Sequence, residues 1–310
     1  MLSNLLIVIG QVVTLFLMMG VGFVLAKLGK FSEETASHAT HLLLYVVGSC
    51  IIINQLQIEA SAAVVRTMLM AALGMALTYV IMLPLVQLLF RKEPSDTKVV
   101  RRFGMVYANN SFMGLPLLAS VLGDEALIFG VISMLVFALF QWTHGALTMG
   151  GKLSLRQAVV NPGILSMAAG LCLFITGLRL PGPVRSAMDF MSNLNTPLAM
   201  VVIGSQMARA DILAVFQKPR LYLTAAVKLL FVPAVTCAAL YLLPLHLEPL
   251  SFCACVVLSA CPTAGATAMF AQMFRRDVET AAQMVTLSTL LCILTLPVFA
   301  VIAKSLSGLI

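Results

Sequence analysis

Apolar residues run through this chain in ten long stretches separated by short polar gaps. The stretches cover 4–27, 36–57, 64–90, 101–121, 125–148, 161–178, 185–208, 220–243, 249–273 and 278–304. Each is close to the ~20 residues that an α-helix needs to cross the hydrocarbon core of a bilayer. The pattern predicts an all-α integral membrane protein with ten transmembrane helices. The second and seventh stretches are more polar than the rest. Two others are interrupted in their interior. The fourth carries "YANNSFMGLPLL" over 107–118, and the ninth carries "SACPTAGATAMF" over 259–270.

Composition places the solvent. The 310 residues are 61% hydrophobic and 10% charged, with mean hydropathy +1.03, whereas a soluble domain carries about 25% charged residues. The lipid bilayer is the expected surrounding, and no gap is long enough for an aqueous domain. The net charge of +7 does not point to nucleic acid, because the basic residues sit in the gaps between apolar runs. Fourteen of them occupy odd-numbered gaps, among them Lys27, Lys30, Arg101, Arg102, Lys152, Arg156, Arg275 and Arg276. The even gaps hold Arg66, Arg179 and Arg185, and the C-terminal end holds Lys304. The positive-inside rule makes the odd gaps cytoplasmic and predicts that both termini face outside.

That orientation has a consequence for the two halves. Five stretches precede the 149–160 gap, so residues 1–150 and 151–310 have equal span counts and enter the membrane from opposite sides. This is an inverted repeat of five helices. Sliding one half by roughly 150 residues aligns "GDEALIFGVIS" with "RRDVETAAQMVTLS" and sets Asn110 against Pro262. The two interrupted stretches then correspond. Paired interrupted helices in inverted repeats mark transporter binding sites.

The candidate site is therefore Asn109, Asn110, Ser111, Phe112 and Gly114, facing Pro262, Thr263 and Gly265. Pro262 withdraws one N–H and pushes Cys261 towards extended backbone. Gly114 and Gly265 admit φ values that other residues resist. Asparagine side chains can replace missing backbone partners. Each break exposes a half-helix N-terminus, whose free N–H groups and positive dipole end attract anions. A proline kink with small residues for helix packing also accounts for either stretch alone, but less well for both at corresponding places.

Other polar groups stand in the apolar runs. Lys228 lies well inside the eighth stretch, where an ionisable residue is costly. It attracts the anion, pairs with a polar group of the crossover or is neutral in one state, or else it snorkels or is a fixed partner of backbone carbonyls, with those freed by Pro233 nearest. Gln206 and Ser205, like Asn54 and Gln55, either face the substrate path or bond helix to helix. His38 and His41, beside Glu33 and Glu34, read as a wet helix end rather than a metal pair. His144 and His246 carry no specific signal. Asp124 and Glu125 suit a helix N-terminus, and Asp189 reads as lying near a helix end. Seven cysteines within apolar runs, with no metal spacing, read as small core residues. No HExxH, GxSxG or phosphate-binding loop appears, so neither catalysis, a metal nor a cofactor is expected.

"NNSFMGLPLL" followed by "GDEA", then "VKLLFVPAV" (227–235) and "CPTAGATAMFAQMF" (261–274), taken in that order, resemble the auxin efflux carrier family. These are the bacterial relatives of the plant PIN transporters, and the resemblance covers essentially the whole chain. It implies an elevator-like arrangement. Stretches 1, 2, 6 and 7 would form a scaffold, and 3–5 with 8–10 a moving transport domain, with the fourth and ninth crossing at its heart. It also implies a homodimer through scaffold helices and small carboxylates, such as malonate or malate, as substrates. Two departures stand out: Asn110 occupies the place of a proline found in plant members, and their long cytoplasmic loop is absent. The expectation is a secondary carrier of a small organic anion. One alternative is a sodium-coupled symporter similar to bile-acid carriers, with oxygens from Thr263, Thr267, Asn109, Asn110 and Ser111 but no Asp or Glu. The other is a membrane sensor that does not transport.

Overall fold

The computed structural model describes residues 2–150, 162–209, 215–243 and 247–309. Lys152, Arg156 and His246, and with them the boundary between the halves, lie outside the described residues. The fold is helical throughout. We number the helices α1 (Leu2–Lys27), α2 (Glu33–Gln55), α3 (Ala62–Gln87), α4 (Ser95–Val106), α5 (Asn110–Leu122) and α6 (Asp124–Thr148). They continue as α7 (Pro162–Thr176), α8 (Gly182–Asn193), α9 (Asn195–Arg209), α10 (Pro219–Leu242), α11 (Pro249–Ala260), α12 (Ala266–Met273) and α13 (Val278–Ser307). Among the described residues, six are long and apolar enough to cross a membrane: α1, α2, α3, α6, α10 and α13. Their starts follow from local chemistry. Ser32, Ser61 and Asp277 each accept the N–H three residues on, closing the first turn of α2, α3 and α13.

Many large apolar side chains face outwards, as a lipid solvent requires; Leu17, Ile175 and Leu242 are 67%, 76% and 77% exposed. The tightest helix contact is between α1 and α9. A Cβ at Gly22 would fall 2.0 Å from the Val201 carbonyl oxygen, and one at Gly204 would fall 1.8 Å from that of Met19. Backbone touches backbone there, and only glycine permits it.

Three expected helices divide. The fourth and ninth stretches break where their polar residues stand, into α4 and α5 and into α11 and α12. The seventh, expected as one span, is two helices separated at Leu194. Pro197 explains that break. It has no N–H for the Asn193 carbonyl, and its ring clashes with that carbonyl, so α8 stops at Asn193. Widened π turns occur at Leu43–Val47, Asn110–Gly114, Gln141–Gly145 and Val227–Phe231. Two of them directly precede Pro116 and Pro233, where the missing N–H already breaks the regular ladder.

Candidate functional site

The two internal breaks meet. After Val106 the chain is extended through Tyr107–Asn109, and after Ala260 it is irregular through Cys261–Gly265. Ala108 and Thr263 form an antiparallel bridge. The Asn109 N–H donates to the Pro262 carbonyl at 2.8 Å, and the Ala264 N–H donates to the Tyr107 carbonyl at 2.9 Å. Backbone freed by one break is thus satisfied by backbone freed by the other, which makes unwound chain tolerable at this depth. The asparagine side chains add to this as expected, one of them serving a backbone N–H at the start of α5. They act one step out: Asn109 Oδ1 accepts from the Phe112 N–H at 3.3 Å, capping α5, and Asn110 Nδ2 donates to Ser133 Oγ at 2.7 Å.

In this antiparallel bridge Asn109 lies opposite Pro262 and Tyr107 opposite Ala264. Cys261 is extended, at φ −61° and ψ 150°, as the proline after it demands. The glycines do not use their conformational freedom. Gly114 has φ −64° and Gly265 φ −57°, both ordinary helical values. Gly114 instead makes room, since a Cβ there would lie 2.6 Å from Leu258 Cδ2. Gly265 is exposed, and nothing lies within 4 Å of where its Cβ would be.

Four half-helix ends converge on this crossing: the C-terminal ends of α4 and α11 and the N-terminal ends of α5 and α12. Among the described residues, the N–H groups of Ser111, Gly265 and Ala266 have no hydrogen-bond partner. Ser111 and Phe112 are half-buried at the start of α5. Asn110 Oδ1 and Thr267 Oγ1 are buried without a partner. Thr263 is committed to support. Its hydroxyl donates to the Gly104 carbonyl at 2.9 Å and its N–H to Ser288 Oγ at 3.0 Å. The arrangement offers free N–H donors at two positive helix ends, which is the chemistry of an anion site.

Lys228 is fully buried behind the crossing, and Nζ donates to the Ser259 carbonyl at 3.0 Å. The partner is therefore a carbonyl of α11, not one freed by Pro233. Gln206 is exposed on α9 and makes no hydrogen bond to the crossing, although α9 packs against the first turn of α5. Ser205 is buried and donates to the Val202 carbonyl at 2.8 Å. Asn54 bonds helix to helix, donating to Asp189 Oδ1 at 2.9 Å, and Asp189 sits about one turn before the C-terminal end of α8. His41 Nδ1 donates to the Ser37 carbonyl in its own turn at 2.9 Å, and the ring stacks on Tyr45. No group of three metal-ligating side chains occurs among the described residues.

Sequence reasoning missed Tyr107, Ser133 and Ser288. Tyr107 carries one bridge carbonyl and donates its hydroxyl to the Phe140 carbonyl at 2.8 Å. The two serines brace the crossing from α6 and α13. A signal was present: Ser133 follows Ala108 by the same 25 residues that separate Thr263 from Ser288.

Polar side chains also bind the ends of α4, α10 and α13 and their loops together at one side of the molecule. Glu93 pairs with Arg101 at 2.9 Å and with Arg220 at 3.2 Å, and Arg101 donates to the Arg220 carbonyl. Arg276 pairs with Asp96, and Thr97 donates to Asp277 at 2.7 Å. Burial raises the Asp277 carboxyl, but hydrogen bonds from Thr97 and Thr280 and the nearby Arg101 outweigh it and hold the group below its ordinary value.

The sequence matches the family described as membrane transport protein twice, over residues 7–154 and 147–300. It is also similar, at 22% identity over 300 residues, to an uncharacterised transporter of Methanothermobacter thermautotrophicus, with 94% of this chain and 97% of the relative covered. Both halves of the chain fall under the family, and both contribute a strand of backbone to the crossing. The protein belongs to the membrane transport protein family, that of the auxin efflux carriers and PIN-like proteins.

Proposed function

We propose that this transporter is a secondary carrier of a small organic anion, with a mono- or dicarboxylate bound at the crossing. The observation that carries the reading is the pair of α5 and α12 N-terminal ends with free N–H groups at Ser111, Gly265 and Ala266. A carboxylate there would exchange hydration for charge-assisted hydrogen bonds. Asn110, with one buried oxygen unpartnered, is the side chain best placed to fix its orientation.

The carrier on this reading has ten spans in two inverted five-helix repeats. The matched spacing of the two serines and the antiparallel meeting of the two breaks support it. Helices α1, α2 and α7–α9 form the scaffold, and α3–α6 with α10–α13 form a body that moves as an elevator. The cytoplasmic ion pairs, which join α4, α10 and α13 and their loops, support that body's moving as one. A homodimer through the scaffold belongs to the same reading; α8 has no buried residue, and Phe190 on it is 75% exposed. So do periplasmic termini and the inner membrane.

A thermal-shift screen of small mono- and dicarboxylates on the purified protein, followed by counterflow in proteoliposomes, tests the assignment. Stabilisation by a carboxylate together with its exchange is expected. Binding without exchange would indicate a sensor, and no response to any carboxylate would remove the substrate class.

A further inference from the structure

Lys228 occupies a place that calls for a cation, and no acidic side chain pairs with it among the described residues. In a continuous helix the Ser259 carbonyl would accept from the N–H of Thr263. That N–H turns instead to Ser288 Oγ, and Pro262 has none to offer. The Ser259 carbonyl is left at the negative end of α11, next to the crossing, and Lys228 Nζ fills the vacancy at 3.0 Å. The lysine does not snorkel to a membrane surface, since it is 0% exposed.

The other half of the molecule supplies an internal control. Gly104 stands to Ala108 as Ser259 stands to Thr263, and its carbonyl is likewise freed by a break. It accepts a neutral hydroxyl, that of Thr263, at 2.9 Å. Capping such a carbonyl therefore does not require a charge. The ammonium at α11 does something further. In carriers built from broken helices, unwound carbonyls and half-helix C-terminal ends are where coupling cations bind. Here that position is held by a side chain on a π turn, Val227–Phe231, packed against α4, α11 and α13.

We propose that Lys228 is a tethered cation standing where a coupling sodium ion would otherwise sit, so that the carrier works without sodium. The inference rests on the crossing being the transport site, but it does not depend on which anion is carried. Lys228 is a positioning residue: it holds the carbonyl end of α11 and touches no substrate.

The test compares melting temperatures of the purified protein in sodium chloride and in choline chloride. The parent should show no difference. Lys228→Ala should melt lower in choline and recover by about 3 °C or more with sodium or with ethylammonium, small cations that can enter the vacated space. Lys228→Met, which fills the space without charge, should also melt lower but gain little from either cation. Stabilisation of the parent by sodium would overturn the proposal, and that arm stands even if neither variant folds. A Lys228→Ala protein indifferent to both cations, or a Lys228→Met protein as stable as the parent, would overturn it as well. No organic anion enters these measurements, so their failure is separate from failure of the carboxylate assignment.

Discussion

Gly265 and Gly204 are both glycines in helical backbone, yet their surroundings set opposite outcomes for the same substitution. A methyl group at Gly265 meets nothing within 4 Å. Gly265→Ala should keep the parent melting temperature while weakening carboxylate binding, because the new group intrudes where the free N–H groups meet the ligand. Unchanged calorimetric affinity would place the ligand elsewhere. A methyl group at Gly204 meets the Met19 carbonyl at 1.8 Å. Gly204→Ala should cost upwards of about 3 kcal/mol and shows as loss of the monodisperse peak in size-exclusion chromatography. The two asparagines separate in a similar way. Asn109 is an N-cap, so Asn109→Ala should lower stability by about 1 kcal/mol. Asn110 holds Ser133 and keeps an oxygen free. Asn110→Ala should lower carboxylate affinity roughly tenfold to a hundredfold, the worth of one charge-assisted hydrogen bond. An Asn110→Ala protein that binds as the parent does would reduce this residue to a brace.

Among the elements, the adjoining ends of α4 and α10 and the loop that carries Glu93 share one buried ion pair. Glu93 and Arg101 side chains are 6% and 7% exposed. Removing one partner strands the other, so Glu93→Gln should cost about 3 kcal/mol in a thermal melt. A cost near zero would show that water reaches Arg101. The Asp277 carboxyl is held below its ordinary value, so it is ionised more readily folded than unfolded. Its stabilisation is complete above the ordinary carboxylate value and is lost as pH falls through the lower folded one. Acid melts of the parent should therefore steepen in that range, and Asp277→Asn should flatten the curve there.

Much of this level was legible in the chain. The long spans follow from apolar length alone, and Pro262 and the Asn109–Asn110 pair located both breaks. The register between them was not legible, because similarity of composition does not say which backbone N–H meets which carbonyl. That is decided by the pairing of Ala108 with Thr263. The stop at Asn193 was written in Pro197, but an apolar run on either side concealed it. Lys228 was conspicuous as a buried charge, whereas its partner was not, since the Ser259 carbonyl is freed only by the diversion of the Thr263 N–H to α13.

For the molecule as a whole, orientation is the first question. A reporter fused to the C-terminus should score periplasmic, following the Lys and Arg bias of the odd gaps. A cytoplasmic score would invert the carrier and place the Glu93–Arg101 cluster outside. In the elevator reading, the body that shuttles includes α10 and so carries Lys228 with it. One fixed positive charge then crosses part of the membrane field on every stroke. Loaded with a monoanion, the moving body is close to electrically neutral and indifferent to voltage. Empty, it bears the uncompensated ammonium, and each unit charge crossing the full field is worth about 2.3 kcal/mol per 100 mV. An inside-negative potential would thus act on the return stroke rather than the loaded one, drawing the empty site towards the cytoplasm. Transient currents would appear without substrate and shrink as the site fills with a monoanion.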